Sequence, residues 1–311
     1  MRPAIPKRIL IVGLGFLGSA IASEAARRDI ETRVLTRSRP ALTGPWELVV
    51  GDAAECGLVL GHGDDIDHII YAAGSSVPAQ AEPDPVSDLA QSLPPLLNVI
   101  DACAHVGCGL TLLSSGGTVY GNVTVLPISE HHPTNPVSAY GIRHLVMEKY
   151  ALMQAERLGF NVGILRISNA YGDRQPLRRS QGIITRLLHS LAQDEPITVY
   201  GDGRAIRDYV HVRDVASAAL QLLSGPPRPR IVNVGTGRGH STLDLISVCS
   251  SVTGRPVKVR FEQSRIFDVG KNVLDISLLR QLIGFKPTAL EFGVRQIWNR
   301  VTAETVELSR P

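Results

Sequence analysis

A glycine triplet set directly behind a short apolar run leaves this chain few folds to choose from. Arg8-Ile9-Leu10-Ile11-Val12 reads as a buried strand, and Gly13-Leu14-Gly15-Phe16-Leu17-Gly18 leads from it into a helical pattern that reaches about Arg28. The spacing is GxGxxG between a strand and a helix. The first glycine permits a tight turn, the second lets backbone approach a pyrophosphate, and the third lets helix pack on strand. The helix start then faces the phosphates with unpaired N–H groups and the positive end of its dipole. Gly13, Gly15, Phe16, Leu17 and Gly18 are therefore candidate dinucleotide-binding residues.

The first half continues the pattern. Thr32 to Leu35, Leu48 to Val50, His68 to Tyr71 and Leu110 to Ser114 read as further strands, and Pro95 to Val106 as a helix. Continuous rather than alternating apolar strands mean burial on both faces, as in a parallel sheet covered by helices. The predicted fold class is α/β, a doubly wound parallel sheet. A helix over Ala139 to Leu158 and a strand over Asn161 to Leu165 follow. Beyond Tyr171 the segments look shorter and less regular, with Val232 to Val234 as a strand and Leu243 to Thr253 as a helix. The expected division is a dinucleotide-binding domain over 1–170 with a return segment at about 208–236. A smaller, discontinuous α/β substrate domain takes 171–207 and 237–311.

Composition narrows the partners. Of 311 residues, 44% are hydrophobic and 20% charged, ordinary globular values that argue against wholesale disorder. Lys plus Arg number 32 against 29 Asp plus Glu, a net charge of +3 that points to neither nucleic acid nor a membrane surface. Arg2, Lys7 and Arg8 before the apolar run to Ala22 resemble a secretory leader, but the glycine spacing gives that run another explanation. Elsewhere no stretch approaches the roughly 18 apolar residues of a membrane span. Cys56, Cys103, Cys108 and Cys249 show no CxxC spacing, so reduced thiols in a cytoplasmic protein are expected.

The second strand runs out in Leu35-Thr36-Arg37-Ser38-Arg39, with no carboxylate for a ribose 2′-hydroxyl. Arg37 or Arg39 can pair instead with a 2′-phosphate, which favours NADP slightly over NAD; the alternative is that both are solvated loop charges. Asp52 and Ala53 after the third strand and Ala72, Ala73 and Gly74 after the fourth lie at strand ends where a dinucleotide belongs.

Later motifs, in order, carry a resemblance. They are Ser114-Ser115-Gly116-Gly117-Thr118-Val119-Tyr120-Gly121, Tyr140-Gly141, and Leu165-Arg166-Ile167-Ser168-Asn169-Ala170-Tyr171-Gly172. Val199-Tyr200-Gly201-Asp202-Gly203, Arg207-Asp208-Tyr209-Val210-His211-Val212 and Asn233-Val234-Gly235-Thr236-Gly237 complete the set. Together they resemble the extended short-chain dehydrogenase/reductase family in its nucleotide-sugar epimerase/dehydratase branch, over nearly the whole chain. The resemblance implies a Rossmann-type domain and a tightly held nicotinamide. It also implies epimerisation of a nucleoside-diphosphate sugar through a transient 4-keto sugar. An NADPH-dependent keto-sugar reductase or a catalytically impaired sugar-nucleotide binding protein are the alternatives.

In that family a tyrosine is the base, a Ser or Thr hydroxyl orients it, and a lysine four residues later holds the ribose. Tyr140 matches the tyrosine. The lysine is replaced by His144, one turn along and on the same helical face. At an ordinary pKa near 6.5 roughly a quarter of such histidines are charged at pH 7. Arg143 is a permanent cation one residue off the family position. The enzyme is thus slow or tuned to another pH, relies on Arg143, or keeps only binding. The family's catalytic hydroxyl position falls on Gly116, flanked by Ser115 and Thr118, and Thr118 is the candidate for that role. The acidic pair of the dehydratases would fall on Gly117 and Thr118, so that style of elimination is not expected.

The resemblance also gives Ser115, Asn169, Arg207 and Arg265 as candidate substrate-binding residues, both arginines toward a diphosphate. A salt bridge from Arg207 to Asp208 or Asp214 is the structural alternative. His131-His132 and the His211/Asp214 pair are not read as metal ligands, and no metal is expected. The helices near 95–106 and 139–158 resemble those that pair in family dimers, though their apolar faces fit a core equally well. A homodimer is expected.

Overall fold

The computed structural model describes residues 6–40, 42–55, 59, 61, 65–74, 81–172, 175, 182–223, 230–263 and 270–308. Strands β1 (Arg8–Val12), β2 (Glu31–Thr36), β3 (Glu47–Val50), β4 (His68–Tyr71), β5 (Gly109–Ser115), β6 (Val162–Ile167) and, after a long excursion of the chain, β10 (Ile231–Val234) form a seven-stranded sheet. Its order is β10-β6-β5-β4-β1-β2-β3 with every pair parallel. The strand order reverses between β1 and β4, which opens a crevice at the carboxyl ends of those strands.

Strand pleating shares the apolar residues between two cores. Ile9 and Ile11 belong to one, packed with α1 (Phe16–Arg27), and Leu10 and Val12 to the other, packed with α2 (Pro85–Val106) and α3 (Ala139–Leu158). The uninterrupted apolar run from Ile9 to Val12 follows directly from this two-faced burial.

Three expectations need correcting. The second helix begins at Pro85, ten positions before the predicted Pro95. Asp84 caps it, accepting from the Ser87 N–H at 3.0 Å, and Pro85 takes the first turn, where its missing N–H costs nothing. Pro94 and Pro95, which suggested a helix start, lie inside it. Strand β6 runs to Ile167 rather than stopping at Leu165.

The chain beyond Tyr171 is also more regular than predicted. It contains α4 (Ile183–Gln193), α5 (Val212–Gln221), α6 (Thr242–Thr253), α7 (Ser277–Ile283) and α8 (Leu290–Leu308). It also contains β8 (Ile197–Tyr200), β9 (Ile206–His211), β11 (Gly239–Ser241), β12 (Val259–Glu262) and β13 (Lys271–Asn272), and β7 (Asn169–Tyr171) leads into it. β9 is central to a small sheet, pairing with β7, β11 and β13, while β8 pairs with β12. Ile184, Leu187, Leu188, Leu245, Val294 and Ile297 form a third core beneath these pieces. Among the described residues, no helix is long and apolar enough to cross a membrane.

Candidate active site

The glycine loop sits at the crevice. Gly13 adopts φ +98°, and a Cβ there would lie 2.6 Å from the Ala73 Cα. A Cβ on Gly18 would strike the Gly13 carbonyl. Both glycines are required by packing. Gly15 differs, since a Cβ there meets nothing within 4 Å. It forms the N-cap of α1 with no side-chain hydrogen bond, and no acidic residue stands in the first turn. An uncapped helix end beside open space fits a pyrophosphate. Gly15→Val is therefore expected to abolish dinucleotide retention while the melting temperature of the cofactor-free protein stays put, read by released-cofactor analysis and thermal denaturation.

A cleft of about 540 Å³ runs from Gly15, Phe16 and Leu17 past Ala72, Ala73 and Gly74 to Ser115, Thr118, Tyr140 and His144, then to Asn169 and Arg207. Gly13, Gly18, Arg37, Asp52 and Ala53 do not line it. Arg37 is exposed just past β2. Asp52 accepts from the Ala54 N–H at 2.9 Å, and the buried Ala53 offers its carbonyl to Asn98 at 3.1 Å. Arg265 and Cys56 lie outside the described residues.

Tyr140 is placed by the start of α3. Ser138 caps the helix, accepting from Gly141 N–H at 3.1 Å, and Glu82 accepts from Ala139 N–H at 2.8 Å. One turn on, the Tyr140 and His144 rings meet edge-on with centroids 4.6 Å apart. The Arg143 guanidinium lies 4.8 Å from the Tyr140 ring centroid. Arg143 itself is buried against α2, with Nε 3.2 Å from Asp88 Oδ2 and Nη1 donating to Ser92 Oγ at 3.0 Å.

This arrangement decides the state of His144. Its Nε2 is 3.3 Å from Arg143 Nη2. A guanidinium only donates, so Nε2 accepts and the ring proton sits on Nδ1. Burial first, and then the neighbouring Arg143, push the imidazole pKa down to about 3. His144 is thus neutral at pH 7, unlike the partly charged group expected from its ordinary pKa, because burial and a neighbouring cation both oppose protonation. The Nδ1 atom is buried without a partner among the described residues. Tyr140 is pushed up by burial, pulled down by Arg143 and raised by Asp88, with a net upward shift.

A Cβ on Gly116 would point at Leu274 Cδ1, 2.7 Å away, and at the Arg166 carbonyl oxygen, 2.8 Å away. That position faces the core. Ser115, Gly117 and Thr118 face the cleft, and the Thr118 Oγ1 is buried without a partner among the described residues.

On the far wall Arg207 donates from Nη1 to the Ile206 and Gly270 carbonyls at 3.0 and 3.3 Å. The carboxylates proposed to neutralise it are engaged elsewhere. Asp208 accepts from Thr236 N–H at 2.9 Å, Thr236 Oγ1 at 2.7 Å and Gly237 N–H at 3.1 Å, while Asp214 holds Thr288. Asn169 Nδ2 donates to the Asp208 carbonyl at 3.2 Å. Arg186 and Thr242, which the sequence did not single out, also line the cleft, as do Tyr200 and Tyr209, which it gave only as motif members and not as site residues. The apolar spacing of Ile184, Leu187, Leu188 and Leu191 reveals helix α4, but nothing in it aims Arg186 inward.

Comparison with known proteins agrees with this geometry. The model of the NAD dependent epimerase/dehydratase family matches residues 9–235. The UDP-glucose 4-epimerase of Corynebacterium glutamicum is 26% identical, with 94% of each chain covered. The solved UDP-glucose 4-epimerase of Thermotoga maritima with UDP-glucose superposes with a TM-score of 0.88 at 25% identity, covering 96% of this chain and 99% of that one. The Thermus thermophilus UDP-glucose 4-epimerase with NAD gives a TM-score of 0.87 at 27% identity, covering 94% and 98%. With the family model spanning most of its length and the same fold beneath it, the chain belongs to the NAD dependent epimerase/dehydratase family.

Proposed function

We propose that this chain is a nicotinamide-dependent nucleoside-diphosphate-sugar 4-epimerase with Tyr140 as its base. The observation that carries it is one cleft holding the open glycine rim at Gly15, the Tyr140 phenol, and Asn169 and Arg207 on the opposite wall. Held at the Gly15 rim and beside Tyr140 and His144, a nicotinamide would supply reversible hydride chemistry at sugar C4. The chain's own part is to orient and to move a proton. Tyr140 takes the proton of the 4-hydroxyl as the keto sugar forms and gives it back to the epimer. Ser115 and Thr118 offer hydroxyls to the sugar side of the cleft. Arg207 grips the diphosphate and Asn169 orients it. Arg265 is assigned the same diphosphate from its sequence position alone.

His144 is assigned to a ribose hydroxyl as a donor from Nδ1–H, a reading supported by the absence of another partner for that atom among the described residues. Gly13 and Gly18 shape the phosphate turn, Asp52 and Ala53 border the adenosine end, and Arg37, exposed where β2 ends without a carboxylate, supports a 2′-phosphate and hence NADP. The sheet to about 170, with its return at about 208–236, is assigned to the cofactor, and 171–207 with 237–311 to the sugar nucleotide. Exposed Val86 and Leu89 on α2 with Ile142, Tyr150 and Met153 on α3 support pairing of these helices in a homodimer. Buried free thiols at Cys103, Cys108 and Cys249 support a reducing, cytoplasmic setting.

The test is to denature the purified protein, identify the released dinucleotide by mass spectrometry, and incubate native protein with UDP-glucose without added cofactor. Stoichiometric NADP and formation of the 4-epimer are expected. Release of NAD would overturn the cofactor preference. Net NADPH consumption by a keto sugar, or binding with no turnover of any nucleotide sugar, would overturn the epimerase reading. Light scattering at twice the chain mass is expected for the dimer.

A further inference from the structure

We infer that the buried Arg143–Asp88 pair, and not His144, is the electrostatic partner of the Tyr140 phenol. The proposal rests on Tyr140 as the base, because only then does the charge around it govern a reaction. A phenol acts as a base near neutral pH only where something stabilises its anion. The Arg143 guanidinium is 4.8 Å from the Tyr140 ring centroid and is held there from two directions, by Asp88 at 3.2 Å and Ser92 at 3.0 Å. The first turn of α3 adds the positive end of the helix dipole.

His144 contributes no charge, since its Nε2 accepts from Arg143 and the ring remains neutral. Its packing against Tyr140 instead fixes the phenol's rotation, and its Nδ1–H is a buried donor without a partner among the described residues. Asp88 opposes Arg143, so the pair sets the field by difference. Among the described residues, the other charged groups around this position are Glu82 at the α3 start and, elsewhere in the cleft, Arg186 and Arg207. They stay constant in the variants below.

The signs are opposite and therefore testable. Arg143→Met removes the cation and raises the Tyr140 midpoint. Asp88→Asn leaves the cation uncompensated and lowers it. An opposite charge at this range moves a pKa by about one to three units. His144→Gln, which substitutes one neutral group for another, leaves the midpoint where it was.

The readout is ultraviolet difference titration of tyrosinate in the holoprotein, with Tyr140→Phe as the subtracted background, alongside the acidic limb of the pH–rate profile for UDP-glucose. Should Arg143→Met not fold because Asp88 is stranded, the Arg143→Met/Asp88→Asn double variant removes both charges. It is expected to move the midpoint upward by less than Arg143→Met would. A midpoint that moves with His144→Gln, or that ignores both Asp88→Asn and the double variant, overturns the inference. Spectroscopic shifts of the expected sign in a protein that turns over no sugar nucleotide would sink the epimerase reading and leave the Arg143–Asp88 assignment standing.

Discussion

Tyr140→Phe should lower kcat for the proposed epimerisation by about three orders of magnitude, within the range lost when a general base is removed. The change deletes only a hydroxyl. The ring, its edge contact with His144 at 4.6 Å and its place over Arg143 at 4.8 Å are kept, so the helix start and the cleft wall should not move. Dinucleotide retention and KM should therefore stay within a few-fold of the parent, and the loss should fall on kcat. That division marks an interaction used in the transition state rather than in ground-state binding. A Tyr140→Phe protein that keeps a tenth or more of parental kcat would remove Tyr140 from the reaction. Loss of dinucleotide alongside activity would indicate a structural role instead.

The largest expected loss of stability lies beneath the site. Glu148, one turn after His144 on the Tyr140 helix, is buried and receives Arg166 Nη2 at 2.7 Å and Ser114 Oγ at 2.5 Å. Arg166 in turn lies 4.8 Å from the Tyr120 ring centroid, and Tyr120 donates to Asn233 Oδ1 at 2.7 Å. One carboxylate thus ties α3 to β5 and β6. Glu148→Ala leaves a buried guanidinium without its anion, a defect worth about 3–5 kcal/mol. In a chain of this size that corresponds to a fall in melting temperature of about 10 °C. Glu148→Leu/Arg166→Met, which removes both charges, should recover most of it. Calorimetry of the three proteins checks this. A loss under about 1 kcal/mol in Glu148→Ala would show that the pair does not lock the helix.

What the sequence disclosed depended on whether a property was local. The sheet was legible because Ile9 to Val12 and Ile69 to Tyr71 are apolar without interruption, which two-sided burial explains. The glycine loop was legible for the same reason, since the requirement at Gly13 is set by its own φ and its near neighbours. The start of α2 was hidden because Pro94 and Pro95 are stronger punctuation than the Asp84 cap that actually begins it. The third core was underestimated because it is gathered from α4, α6 and α8, segments far apart in the chain. Least legible was the charge on His144. Its spacing from Tyr140 was plain, but its neutrality depends on burial and on Arg143, whose ion-pair partner Asp88 comes from another helix. The orientation of Gly116 toward Leu274 was likewise invisible, since a motif counts positions and not directions.

The alternation along β9 has a consequence for the sugar-nucleotide end. Arg207 opens onto the cleft and Asp208, its neighbour, turns inward to the backbone around Thr236 and Gly237. A slip of a single position in this strand would exchange the two faces. The ligand would then meet an anion, and the interior would be asked to swallow a cation. The hydrogen bonds that anchor Asp208 thus guard the polarity of the binding wall, although no atom of that carboxylate needs to touch what binds there.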